Sequence, residues 1–406
     1  MIAALIRWSA RNTVLIVAGT LLAAALGLYA LLTTPVDAIP DLSDTQVIVY
    51  TEFPGQAPQV VEDQVTYPLT TAMLSVPRAR AVRGFSYFGV SFVYVVFEDG
   101  VDLYWARSRV LEYLSDAARR LPAGIAPTLG PDATGVGWVY QYAIEHPSLN
   151  LAETRTLQDW YVRFAAAKAE GVAEVSSVGG LVKQYNVVVD PNRLLAVGVS
   201  LDDVRRAIAD SNRDVGGRVV ELSEAEHAVR GRGYLKNADD IERITLKTVN
   251  GVPLTIRDIA RVEIGPDERR GIAELDGAGE VAAGIVTQRQ GANTVDVIAA
   301  AKAELARILP SLPEGTRIVP VYDRSELIDR AIATLERTLT EESIIVALVC
   351  IVFLLHVRSA LVAIIMLPVG VLLAFAGMKV LGLSSNIMSL GGIAIAIGAM
   401  VDAAIV

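Results

Sequence analysis

The sequence predicts an α+β membrane protein, with transmembrane α-helices at both ends of the chain and a large external domain of ferredoxin-like β-α-β-β-α-β subdomains between them. Two observations predict it. Uncharged apolar runs of helical length sit near both ends of the 406 residues, while the charged residues, 20% of the total, gather in one long middle section. Within that section, strand-period and helix-period patterning recur in the same order twice.

Residues 13–32 (TVLIVAGTLLAAALGLYALL) carry no charge and follow Arg7 and Arg11. About twenty apolar residues are what a helix needs to cross roughly 30 Å of hydrocarbon. The two arginines place the N-terminus in the cytoplasm. A cleaved signal peptide would need a shorter apolar core and a small-residue cleavage site, whereas Thr33, Thr34 and Pro35 come next. Three further apolar blocks at 343–355, 361–378 and 387–406 predict spans at 338–356, 360–380 and 386–406. The basic link His356, Val357 and Arg358 between apolar blocks is expected in the cytoplasm. The path is then in, out, a long external loop, and in, out and in again. That topology suits a bacterial inner membrane with the loop in the periplasm. The last block ends at Val406 with no basic anchor after it, so the chain is expected to be a fragment of a longer one.

The external section reads strand 46–52, helix 57–74, strands 81–86 and 91–97, helix 101–121 and a strand near Thr128. Val61, Val65, Leu69, Ala72, Met73 and Val76 give the first helix one apolar face. A second pass begins with strand 138–144, helix 151–169 and strands 173–178 and 185–189, and it closes with strand 281–288 and helix 294–309. An insert, 191–267, interrupts it with a helix at 201–212 and hairpin-like strands.

Bulk chemistry narrows the function. A formal charge of −9 argues against nucleic acid as a partner, which would select a basic face. The single cysteine, Cys350, sits in an apolar stretch and His146, His227 and His356 are scattered, so neither a cysteine cage nor an HExxH zinc site can form. No GxxxxGK[ST] loop, GxSxG elbow or CxxC pair is present, which points away from an enzyme and from any bound cofactor. Transport would then have to draw on an ion gradient.

Asp402 is the informative residue, because it interrupts the apolar run GGIAIAIGAMVDAAIV. A carboxylate at mid-membrane depth costs on the order of 3 kcal/mol, and such groups usually face a bundle interior and carry protons or ions. Gly391, Gly392, Ala394, Ala396, Gly398 and Ala399 are small enough to admit a neighbouring helix. Met388 and Met400 share the segment, and thioether sulfur suits Cu(I) and Ag(I), although methionine is also ordinary core filler.

Seven runs carry a resemblance: TPVDAIPDLSDTQV (34–47), PGQAPQVVEDQVTYPLTTAMLSVP (54–77), YWARSRVLEYL (104–114), LGPDATGVGWVYQYA (129–143), VYDRSELIDRAI (321–332), HVRSALVAII (356–365) and NIMSLGGIAIAIGAMVDAAIV (386–406). From end to end the chain resembles the heavy-metal efflux branch of the resistance-nodulation-division permeases, and within it the copper/silver type. The resemblance implies the first half of that transporter fold: 1–33 as N-terminus and first span, 34–133 as one periplasmic porter subdomain, 134–190 with 268–330 as a second, and 191–267 as an inserted docking subdomain. It implies a homotrimer in the inner membrane, working with a periplasmic adaptor and an outer-membrane channel. The pump would exchange Cu(I) or Ag(I) for protons. Asp402 falls on the family's proton-relay aspartate, Met388 and Met400 on the ion path, and Arg83, in VRGFS, near the periplasmic metal cleft. Export of divalent zinc, cobalt or cadmium is the competing expectation, and a membrane-anchored periplasmic sensor or scaffold is the expectation from another class.

Overall fold

The structure, a computed structural model, describes residues 2–249, 251–269, 271–354 and 357–405; His356 and the side chains of Cys350 and Asp402 lie outside the described residues. Two compact units divide the chain, one formed by Met1–Glu145, Gln158–Ser177 and Ala283–Val406, the other by His146–Leu157 and Val178–Ala282.

In the first unit, α1 (Ile2–Arg11) leads into α2 (Thr13–Thr33), which is apolar on nearly every side and exposes most of its large side chains. β1 (Gln46–Glu52) then opens a sheet. Val47 and Val49 of this strand alternate with outward residues, so one face must be covered. The cover begins with α3 (Pro58–Val61), a π-helical turn (Glu62–Thr66) and α4 (Tyr67–Met73). The extra residue of the π turn buries Val65 and Thr66 together. β2 (Ala79–Tyr87), β3 (Val90–Phe97), α5 (Leu103–Ala117) and the short β4 (Thr128–Leu129) complete the layer. The sheet order is β2-β3-β1-β4. Asp102 caps α5 by accepting from Trp105 N at 2.8 Å. Leu69, Met73, Phe97 and Val110 are fully buried in this core, and each such side chain contributes about 1.5–3 kcal/mol.

The pattern repeats with β5 (Trp138–Glu145), a second π turn (Gln158–Val162), α7 (Arg163–Ala166) and β6 (Val172–Gly179), while α6 (Leu151–Leu157), between β5 and the π turn, is counted with the other unit. The chain then enters the second unit. There β7 (Lys183–Val189) is followed by α8 (Pro191–Val197), α9 (Leu201–Ser211), a hairpin of β8 (Val215–Leu222) and β9 (Ala225–Gly231), and α10 (Ala238–Glu242). β10 (Thr245–Val249), β11 (Val252–Thr255), α11 (Ile256–Ile259) and β12 (Ala260–Pro266) close it around Ile256 and Ile259. Back in the first unit, β13 (Ala282–Gln288), α12 (Thr294–Ile308) and β14 (Arg317–Asp323) finish a sheet of order β14-β5-β13-β6. Taken in chain order within each sheet, both layers run fourth, first, third, second.

One strand assignment changes. The segment 185–189, expected in the second sheet, belongs to β7 and pairs antiparallel with β12 in the other unit. Its place is taken by β14, which periodicity leaves unread because Pro320 interrupts RIVPVYD and the strand runs directly into a helix. Proline is tolerated there since β14 is an edge strand, and the register shifts between Pro320 and Tyr322.

Three helices end the described chain: α13 (Arg324–Leu354), α14 (Val357–Val380) and α15 (Ile387–Ile405). α13 starts well ahead of residue 338, because Asp323 caps it by accepting from Ser325 N at 3.0 Å. Among the described residues, α2 alone is long and apolar enough to cross a membrane, and Ile365–Val380 and Ile387–Met400 are shorter apolar stretches. Leu367, Val371 and Phe375 of α14 pack on Ile393 and Ile397 of α15 and on Ala30 of α2. Gly27 lets α2 approach α14 closely, since a Cβ there would lie 2.6 Å from the Leu372 side chain.

Candidate functional site

α15 is built for a fixed start. Asn386 Oδ1 accepts from Met388 N and Ser389 N, each at 3.0 Å, and Asn386 N donates to Ser389 Oγ at 2.8 Å. This reciprocal cap satisfies donors that the first helical turn leaves open. Beyond it, Leu390, Ile393, Ile397 and Met400 recur at 3-4-3 spacing and face α14. Met400 lies against Gly370, where an added Cβ would come 3.0 Å from its Cε and closer still to its sulfur. Met388 is 73% exposed at the other end of the helix. Twelve residues, about 18 Å of helical rise, separate the two sulfurs, and they fall on different faces.

Gly391, Ile395 and Gly398 form a second row along α15. That row lies roughly opposite the buried one, and Ile395 is 80% exposed. Arg83 stands elsewhere, exposed on β2 beside Tyr94 of β3. It shares the outer sheet face with Phe85, Tyr87 and Phe92, and Phe85 meets Tyr94 edge to face at 5.5 Å. Met388, Met400 and Arg83 are thus not brought into one site. Among the described residues no cluster of three or more His, Cys, Asp or Glu could hold a metal ion.

A different set of side chains does converge. Asp37, just past α2, accepts through Oδ1 from Arg324 Nη1 at 3.3 Å and through Oδ2 from Gln288 Nε2 at 3.2 Å. Arg324 and Asp37 side chains are only 5% and 13% exposed. Arg324 Nη2 also donates to Trp138 O at 2.7 Å, and Thr294 Oγ1 donates to Gln288 Oε1 at 2.9 Å. Sequence reading missed this pair. Its members sit 287 positions apart, beyond the reach of any local pattern.

Beside it, Asp323 is subject to burial, which raises its carboxyl pKa, but hydrogen bonds from Lys302 and Ser325 outweigh that and hold it below the ordinary carboxylate value. Burial, reinforced by Asp323, pushes the Tyr140 hydroxyl up to about 12. Because the folded Asp323 is the stronger acid, the unfolded chain binds the extra proton as pH falls. The stabilisation is complete above the unfolded value of about 3.9 and is lost as pH drops through the folded one. The melting midpoint of the purified protein should fall between about pH 5 and pH 3, and Asp323→Asn should flatten that slope. An equal slope in the variant would remove Asp323 from the account.

Two layers of one strand order, joined to apolar helices, have close counterparts among solved structures. A heavy metal efflux pump in crystal form II superposes with a TM-score of 0.83 at 32% identity, over 96% of this chain and 39% of that one. Crystal form I gives 0.81 over 93% and 38%. The fold is therefore that of a resistance-nodulation-division permease. In sequence the chain is 58% identical over its whole length to the cation efflux system protein CusA of Escherichia coli (strain K12). It is 37% identical over 94% of its length to the cobalt-zinc-cadmium resistance protein CzcA of Cupriavidus metallidurans. The chain spans 39% and 37% of the lengths of these relatives. The AcrB/AcrD/AcrF profile matches residues 5–406, and the chain belongs to that family.

Proposed function

We propose that this chain is the N-terminal part of an inner-membrane permease that exports Cu(I) and Ag(I) in exchange for protons. The 58% identity with CusA across the whole chain carries the reading. Asp402 is its engine: a carboxyl inside an uncharged helix can load and release protons, and each proton moving inward supplies about 2.3 kcal/mol per 100 mV. Gly391, Gly392 and Gly398 on α15 are small enough to leave room for a helix from the rest of the longer protein to lie against this segment. Residues 13–33, 338–356, 360–380 and 386–406 act as spans, with the N-terminus in the cytoplasm and the loop between the first two in the periplasm. We read the two sheets as ferredoxin-like porter subdomains and 191–267 as the docking subdomain. The permease works as a homotrimer with an adaptor and an outer-membrane channel. Met388 and Met400 offer soft sulfur to the ion, and Arg83 lines the periplasmic cleft.

The likeness to CzcA favours a second reading, export of divalent zinc, cobalt or cadmium. Metal-resolved tolerance separates the two. Cells lacking their own exporters and carrying the full-length gene should gain tolerance to silver and copper but not to zinc, cobalt or cadmium. Met400→Ala should lower silver tolerance by about tenfold, the scale of one lost soft ligand contact. Tolerance gained only against divalent ions would replace the first reading with the second.

A further inference from the structure

We propose that the buried Asp37–Arg324 pair is the positioning joint that ties α15 to the second sheet, so that a change of charge at Asp402 reaches the external layer through it. The inference rests on Asp402 acting as the proton relay. Its geometry does not.

The segment 35–38, just after α2, is held on two sides. Toward α15, Asp37 N donates to Ser385 O at 2.9 Å, Ser385 N donates to Pro35 O at 3.0 Å, and Ile387 N donates to Ala38 O at 3.2 Å. Val36 and Ser385 form a parallel bridge. The start of α15 is thereby carried on the same few peptides as the Asp37 side chain. Toward the sheet, Thr294 N at the start of α12 donates to Val36 O at 3.1 Å. The Asp37 carboxylate receives Gln288, the last residue of β13, and Arg324, the first residue of α13. Arg324 in turn reaches Trp138 O, the first residue of β5, and Tyr322 Oη, which accepts from its Nε at 3.4 Å. Asp37 Oδ1 also accepts from Ala38 N at 2.6 Å.

A buried ion pair is a poor device for stability alone, since well-packed apolar residues usually serve as well or better. What it supplies is direction. Each charge fixes the other at a defined angle, and here the two charges gather the ends of β5, β13 and α13 while the backbone of 35–38 holds the starts of α12 and α15. A cavity of about 410 Å3, lined by Asp37, Gln288, Lys379 and Ser384 among others, borders the joint and gives it room to rearrange. A shift of α15 along its axis therefore pulls on segment 35–38, and through the carboxylate on the ends of the two central strands. Coupling of this kind needs a contiguous path whose ends both sites bias, and these hydrogen bonds trace one.

The test uses the full-length protein and reads coupling, not only activity. Hydrogen exchange of the β13 amides is compared before and after Asp402→Asn, first in the native background and then with Asp37→Asn. The charge change at 402 should alter β13 protection in the first background and leave it unaltered in the second. Silver-driven proton flux in proteoliposomes should fall about tenfold in Asp37→Asn, with silver binding unchanged when both are measured well below the variant's own, lowered melting midpoint. Asp37→Glu, which restores the charge, should recover part of it. An equal β13 response in both backgrounds overturns the joint, as does full flux in a folded Asp37→Asn protein. If Asp37→Asn does not accumulate, Gln288→Leu cuts one arm while leaving the ion pair, and the same two outcomes decide. A native protein that moves protons with no silver sinks the choice of ion; the exchange comparison still judges the joint.

Discussion

Replacing Asp402 by Asn in the full-length protein should reduce silver and copper tolerance to that of cells without the gene. Asparagine keeps the size and most of the hydrogen bonding of the side chain but cannot exchange a proton. It also removes a group whose insertion as a carboxylate costs on the order of 3 kcal/mol, so the variant should accumulate in the membrane at least as well as the native protein. Loss of tolerance with normal accumulation would then report function and not folding. Membrane immunoblots beside growth on graded silver would separate the two, and native tolerance in the variant would end the proton-relay role.

Gly284→Val should strongly destabilise the second sheet. Gly284 is buried on β13, and the ring of Tyr142 from the adjacent β5 occupies the space that a Cβ would take. Even an alanine Cβ there would stand 2.8 Å from Tyr142 Cε1 and closer to Cζ and Oη. The ring cannot swing aside cheaply: it is fully buried, and its hydroxyl donates to Gln158 Oε1 at 3.1 Å. Gln158 is itself fully buried and donates to Ser177 Oγ at 3.2 Å. Overpacking of this kind costs about 1–3 kcal/mol and occasionally more, and for a unit of this size that lowers the melting midpoint by roughly several °C. Tyr142→Leu combined with Gly284→Ala should recover part of the loss, because the ring is what obstructs. A Gly284→Ala protein that melts with the native one would show that the layer yields more readily than its packing implies.

Much of the fold is legible because its information is local. Val47 and Val49 announce a strand, the Val65, Leu69 and Met73 spacing announces a helix, and both hold in the structure. The candidate site is legible in part. An acidic residue in an apolar run draws notice to Asp402 at once, whereas Met388 and Met400 share a helix without sharing a face.

What the sequence determined by itself is the set of apolar and alternating runs, the order of strands and helices they impose, and the family that those runs spell out. Hydrophobic periodicity acts over a few residues, so it needs no knowledge of partners. The tertiary structure decided which strands pair, sending β7 to β12 and bringing β14 into the second sheet. It also set Arg324 against Asp37 across 287 positions. Partner choice depends on burial and geometry shared by distant segments, and no window along the chain contains both halves of such a contact.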